Sequence, residues 1–182
     1  MTNLILSYYK GSIGQVLDVT YGVGTFWKKK LPNWVLNALD KEPTSNNCLK
    51  STWEELNGNL YLLYDAIFVD PPYSRGKGGF DLDQTSGYKR MKRSAAFTDS
   101  MKYGTGNIPK YLAETLSKYI QSDGILVVKN QEFTTVHGFE LYDYLIQDNG
   151  FQPDGFKLTK PKARPNHAFW MIFKKSNFSE KK

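Results

Sequence analysis

The chain reads as one α/β domain built on a mostly parallel sheet, and three observations predict it. Ala66 to Val69 is apolar and mostly β-branched or aromatic without alternation, which is how a strand covered on both faces reads. A second such run, Ile125 to Val128, follows a helical stretch, Pro109 to Ile120, with proline at its start and an apolar face at Leu112, Leu116, Tyr119 and Ile120. Near the start, Gln15 to Thr20 forms a strand that breaks into a glycine loop at Gly22 and Gly24 and then a helix, the opening of a nucleotide-binding α/β unit.

The 182 residues suffice for a single domain that buries roughly 70% of its unfolded surface. Lys and Arg outnumber Asp and Glu 24 to 18, a balance that suits nucleic acid as partner without requiring it. Cys48 is the only cysteine, which excludes an internal disulfide and, with two histidines, disfavours a zinc site; we expect no metal. The opening MTNLILSYYK has no basic stretch before its apolar residues, and no apolar run reaches membrane-spanning length. A soluble, cytoplasmic protein without membrane contact is the expectation.

Met1 to Gly14 reads as a short helix or arm with Leu4, Ile5, Tyr8 and Tyr9 on its apolar face. After the first strand, Thr25 can cap a helix carrying Phe26, Trp27 and Lys28 to Lys30. A pyrophosphate-binding fingerprint would place a third glycine at position 27; Trp27 stands there and disfavours a dinucleotide. Asp18 supplies a carboxylate beneath the loop. Asn33 to Leu39 forms a second strand ending at Asp40, where such folds hold a ribose diol. A short third strand ends near Lys50 and brings Ser51 and Thr52 to the same edge.

The strand that ends at Asp70 continues into Pro71, Pro72 and Tyr73. Proline cannot donate to a sheet ladder, so the strand stops there, and the Pro71 carbonyl is left free to accept hydrogen bonds. A carboxylate and a bare carbonyl can together grip the two hydrogens of an exocyclic amino group, whose lone pair is otherwise delocalised into its ring. Tyr73 can stack on a base taken out of its helix. Read blandly, D-P-P-Y only ends a strand and turns the chain.

The G-x-G loop, the acid after strand two, the polar turn after strand three and D-P-P-Y after strand four fall in a fixed order. In that order, and in the joint occurrence of VLDVTYGVGTFW and VDPPY, the chain resembles the class I S-adenosylmethionine-dependent methyltransferases. Among these it is similar to the D-P-P-Y amino-methyltransferases of nucleic acids, small phage and microbial DNA methyltransferases in particular. The resemblance covers most of residues 15 to 175. It implies a Rossmann-like, mostly parallel seven-stranded sheet closed by an antiparallel C-terminal hairpin, Phe156 to Thr159 with Ala168 to Lys174. It also implies S-adenosyl-L-methionine as cofactor. By position, Asp18, Gly22 and Gly24, with Thr20 between them, hold its methionine end, and Asp40 its ribose hydroxyls. Ser51 and Thr52 stand where relatives often carry an acid that reads the adenine.

Residues 74 to 107 hold seven Lys or Arg against three Asp, a local excess of four out of the whole chain's six. This span, with Lys89, Arg90, Lys92 and Arg93 at its centre, reads as a flap that grips phosphates and covers the target base. It reads otherwise as a solvated loop. Lys129, Asn130 and Gln131 follow the Ile125 to Val128 strand to the edge that carries Asp70. Phe139 to Gln147 reads as a helix, and Lys162 and Arg164 lie on a loop that can contact a nucleic-acid backbone. His167 reads as structural, and residues 176 to 182 as a frayed tail.

Methyl transfer to adenine N6 in DNA is the reading these residues favour, with Asp70, Pro71, Pro72 and Tyr73 as the catalytic group. Guanine N2 or adenine N6 in ribosomal RNA, cytosine N4 in DNA, and a binding module without catalysis remain alternatives. Over these 182 residues no separate target-recognition domain is expected beyond the 34-residue flap, so sequence preference is expected to be short or relaxed, or to come from a partner or a dimer.

Overall fold

The computed structural model describes residues 1–22, 24–29, 32–40, 43, 45–51, 53–56, 63–70, 108, 110–130, 133–148 and 167–176. Helix α1 (Thr2–Tyr9) precedes strand β1 (Gly14–Asp18), and a 3-10 turn, Thr25–Trp27, leads to β2 (Trp34–Asp40). Then come β3 (Leu49–Lys50), a second 3-10 turn over Trp53–Leu56, β4 (Tyr64–Val69), helix α2 (Lys110–Tyr119), β5 (Ile120–Asn130), β6 (Phe139–Asp148) and β7 (His167–Lys175). One seven-stranded sheet runs β3-β2-β1-β4-β5-β7-β6. The pairs from β3 to β5 are parallel, and β7 lies antiparallel to both β5 and β6.

The absence of alternation in the central strands follows from two buried faces. Ile67 and Val69 of β4 join Leu17, Leu126, Val128 and Phe173 beneath α2, whose Leu112, Ala113 and Leu116 complete that layer. Ala66 and Phe68 point the other way, with Val16, Val127, Ile172, Trp34 and the α1 residues Ile5 and Leu6. Burying a side chain of this size stabilises by about 1.5–3 kcal/mol, so each strand is fixed in register from both sides.

Four expectations need correction. The segment Phe139 to Gln147 is not a helix but edge strand β6, paired along its length with β7 and irregular between Leu141 and Asp143. It therefore takes the antiparallel place expected of Phe156 to Thr159, a segment that lies outside the described residues. Its phenylalanine, tyrosines and isoleucine favour a pleated surface, and the Trp170 indole donates to Gln147 Oε1 at 2.8 Å across that pairing.

The helix expected from Thr25 is a single 3-10 turn entered from Gly24, and Thr25 caps nothing. Only six residues separate Trp27 from Trp34, too few for a helix and its return. Helix α1 instead supplies apolar cover on that face, but through Thr2, Ile5 and Leu6, while Leu4 and Tyr8 are exposed. Lastly, β5 begins at Ile120 directly after α2, five residues before Ile125. Its pairing with β4 shifts between Tyr64 and Ala66. Gly124 sits in that irregular stretch, where a Cβ would come within 3.0 Å of the Tyr64 carbonyl oxygen.

Candidate functional site at the carboxyl edge of the sheet

Strands β1, β2, β4 and β5 all deliver polar residues to one edge, the crevice in which open α/β sheets bind ligands. Asp18 closes β1 and is 1% exposed. Its Oδ1 accepts from the Thr20 backbone N–H at 2.8 Å and the Thr20 hydroxyl at 3.2 Å; its Oδ2 accepts from the Trp27 indole N–H at 2.6 Å. Burial nevertheless dominates and pushes the Asp18 carboxyl up to about 6, with the Asp70 charge adding slightly and the three donors opposing.

The loop that follows is pinned from β2. The Tyr21 N–H donates to the Leu39 carbonyl at 3.2 Å, and the Gly22 N–H to Asp40 Oδ2 at 2.8 Å. Gly22 and Gly24 have φ of 57° and 68°, a region that penalises side chains, and the Gly24 N–H closes the turn onto the Tyr21 carbonyl. Asp40 is itself buried, and its carbonyl accepts from the Ser51 N–H at 3.0 Å, which brings the turn after β3 into the same network.

Asp70 leaves β4 next to this loop. Its backbone N–H donates to Thr20 Oγ1 at 2.7 Å, so one hydroxyl joins the backbone of the D-P-P-Y segment to the carboxylate at the end of β1. Its side-chain Oδ2 lies 3.3 Å from Lys129 Nζ, with both side chains partly open to solvent. That ammonium also stands over the rings of Phe26 and Trp170, 4.7 and 5.5 Å from their centroids.

Asp18, Thr20, Gly22, Gly24, Asp40, Ser51, Asp70, Lys129 and Asn130 thus come together at one edge. Pro71, Pro72, Tyr73, Thr52, Gln131, the cluster of Lys89, Arg90, Lys92 and Arg93, and the cations Lys162 and Arg164 lie outside the described residues. Three aromatic partners are not foreseen from the sequence. Trp27 stands out there only as the residue in place of a third glycine, yet its indole is what a glycine at that position would take from Asp18. Phe26 and Trp170 frame Lys129 from opposite ends of the chain, a pairing that no local pattern encodes. Among the described residues no group of three or more His, Cys, Asp or Glu is placed to hold a metal, and no helix is long and apolar enough to cross a membrane.

No protein-family model matches the chain, and no curated protein matches it in sequence. Solved structures do share its architecture. The N-methyltransferase NodS from Bradyrhizobium japonicum, in complex with S-adenosyl-L-homocysteine, superposes with a TM-score of 0.57 at 12% identity, over 96% of this chain and 84% of that one. Precorrin-6y C5,15-methyltransferase from Geobacter metallireducens superposes with a TM-score of 0.52 at 11% identity, over 96% and 86% of the two chains. The fold is therefore the Rossmann-like α/β fold of the class I methyltransferases, with its antiparallel end made by β5, β7 and β6.

Proposed function

We propose that the chain transfers a methyl group from S-adenosyl-L-methionine to an exocyclic amino group of a nucleic-acid base, with adenine N6 in DNA as the first candidate. One observation carries the reading: the Thr20 hydroxyl bonds both the backbone of Asp70 and the carboxylate of Asp18, and so ties the amine-gripping segment to the glycine loop. The residues at this edge suit such a cofactor, because the loop turns at positive φ through Gly22 and Gly24 beside two acids, with the Tyr21 ring lying against Gly24, where a Cβ would come 2.5 Å from its hydroxyl oxygen. When bound, the cofactor supplies a methyl group made electrophilic by its sulfonium, which leaves as a neutral thioether.

Asp70 and the Pro71 carbonyl accept the two amino hydrogens and turn the nitrogen lone pair towards the methyl carbon. Asp70 would take up the proton that the amino nitrogen gives up on methylation and pass it to solvent. The work of the chain is alignment, so no strong general base is required. Asp18 acts through Thr20, and Asp40, held on the Gly22 N–H, contributes to ribose binding through the shape of the loop. Tyr73 stacks on the base, and the basic span of residues 74 to 107, with Lys162 and Arg164, holds the phosphates.

Tritiated methyl transfer to duplex DNA, single-stranded DNA and bulk RNA, followed by nucleoside analysis, tests this directly. Label on N6-methyladenine from DNA is expected, and label from RNA alone would move the substrate to RNA. Asp70→Ala should lose on the order of 10²–10³-fold in rate or more while cofactor affinity by titration calorimetry stays near normal. A wild-type chain that binds nucleic acid but no cofactor would be a binding module instead.

A further inference from the structure

We propose that Lys129 reads the target base, donating a hydrogen bond to the ring nitrogen beside the amino group that Asp70 holds, and that this selects adenine. The inference rests on the amino-methyltransferase reading above and names a specificity-determining residue for it.

Val69 and Val128 face each other on parallel neighbours β4 and β5, so Asp70 and Lys129 follow them side by side at the carboxyl edge. Lys129 in turn lies opposite Trp170 in the β5–β7 ladder. Phe26, from the turn after the glycine loop, meets the Trp170 ring edge-on at 5.1 Å and completes an aromatic corner around the ammonium. Lys129 Nζ is therefore held from two sides, by the Asp70 carboxylate and by two ring faces. When an amino group takes over the carboxylate, the rings still hold the ammonium within reach of whatever lies next to that amino group.

That neighbour differs among the bases. In adenine the amino group has a lone-pair ring nitrogen on each side, N1 and N7, so a fixed cationic donor finds an acceptor whichever edge faces it. Cytosine offers such a nitrogen on one side and a C–H on the other. Guanine sets an N–H donor on one side of its amino group, which an ammonium would oppose. A cation beside the amine-gripping acid is satisfied in either orientation only by adenine.

The test compares kcat/KM on DNA duplexes carrying adenine, 1-deazaadenine or 7-deazaadenine at the methylated position, for wild type, Lys129→Met and Lys129→Gln. Wild type should lose roughly 10–100-fold on one of the two analogues, the cost of one charge-assisted hydrogen bond. Lys129→Met should be slower on adenine and should treat adenine and that analogue alike. Lys129→Gln, which keeps a neutral donor, should retain part of the penalty and guards against a methionine variant that folds poorly. Equal rates on all three substrates for wild type, or an undiminished penalty in Lys129→Met, overturn the proposal and leave methyl transfer standing. Label on guanine N2 does the same. Absence of transfer to any nucleic acid removes the underlying reading, and this one with it.

Discussion

The indole N–H of Trp27 donates to Asp18 Oδ2 at 2.6 Å, and both side chains are buried. The glycine loop between them is thereby closed at its two ends by one hydrogen bond to a carboxylate. Trp27→Phe keeps most of the apolar volume and deletes the donor. The loss should be about 1–3 kcal/mol of unfolding free energy, because a buried acceptor forfeits its partner. Urea denaturation measures it, and a change under about 0.5 kcal/mol would mean that the loop does not depend on this hydrogen bond.

Asp18 also gives the fold a pH dependence. Its carboxyl is raised from 3.8 to about 6 by burial, so between those values the folded chain binds a proton that the unfolded chain has released. Stability from this group is therefore greatest below pH 3.8, falls as pH rises through the window, and is fully lost above about 6. Asp18→Asn removes the titration, and sets an amide N–H₂ against either Trp27 or Thr20. The advantage of wild type over the variant should be largest below pH 3.8 and shrink by up to roughly 3 kcal/mol by about pH 7.5. A gap that widens with pH would show that the three donors outweigh burial.

Thr20→Val isolates the hydroxyl that Asp70 and Asp18 share. The side chains match in shape, so the cost should be modest, on the order of 1 kcal/mol. Methyl transfer should fall more than tenfold while cofactor affinity changes less, because the backbone at Asp70 loses its tie to the loop. Equal losses in rate and affinity would place Thr20 in cofactor binding alone.

Gly14 opens β1 where a Cβ would lie 2.7 Å from the Trp34 ring and 2.8 Å from Asp65 Oδ2. Trp34 is fully buried and Asp65 accepts from the Gln15 N–H at 2.7 Å, so neither yields easily. Gly14→Ala should destabilise by about 1–3 kcal/mol through overpacking, read as a lower melting temperature. An unchanged melting temperature would mean that the indole swings aside.

Replacing Lys89, Arg90, Lys92 and Arg93 together by Ala should weaken nucleic-acid binding and flatten its salt dependence by roughly 0.9 in log–log slope for each phosphate that is no longer neutralised. A salt slope equal to that of wild type would leave the cluster solvated.

The parts legible in the sequence are those where burial and chemistry coincide locally. Strands β4 and β5 are readable because two covered faces force a continuous apolar run, β1 and β2 because their buried ends run into an acid, and the acids and glycines at these ends because strand termini and φ > 0 turns need them. Strand β6 is not, because it is an edge strand whose Tyr142, Tyr144 and Ile146 are exposed while Asp143 and Gln147 turn inward. Only Phe139 and Leu145 of its apolar residues meet the core, so the apolar pattern does not outline the covered face. The aromatic corner around Lys129 is hidden for another reason: residues 26, 129 and 170 meet only once the sheet has formed.

Strand β7 follows β6 in the chain but lies within the sheet rather than at its rim. During synthesis, a nascent fragment that stops before His167 has β5 and β6 already made but nothing to join them. The ladder from Leu126 to Asn130 stays unpaired on that side, and Lys129 lacks the indole beside it. The docking of β7 is thus the event that both joins β6 to the rest of the sheet and brings the Trp170 ring to Lys129, so a chain truncated before it leaves that edge unfinished.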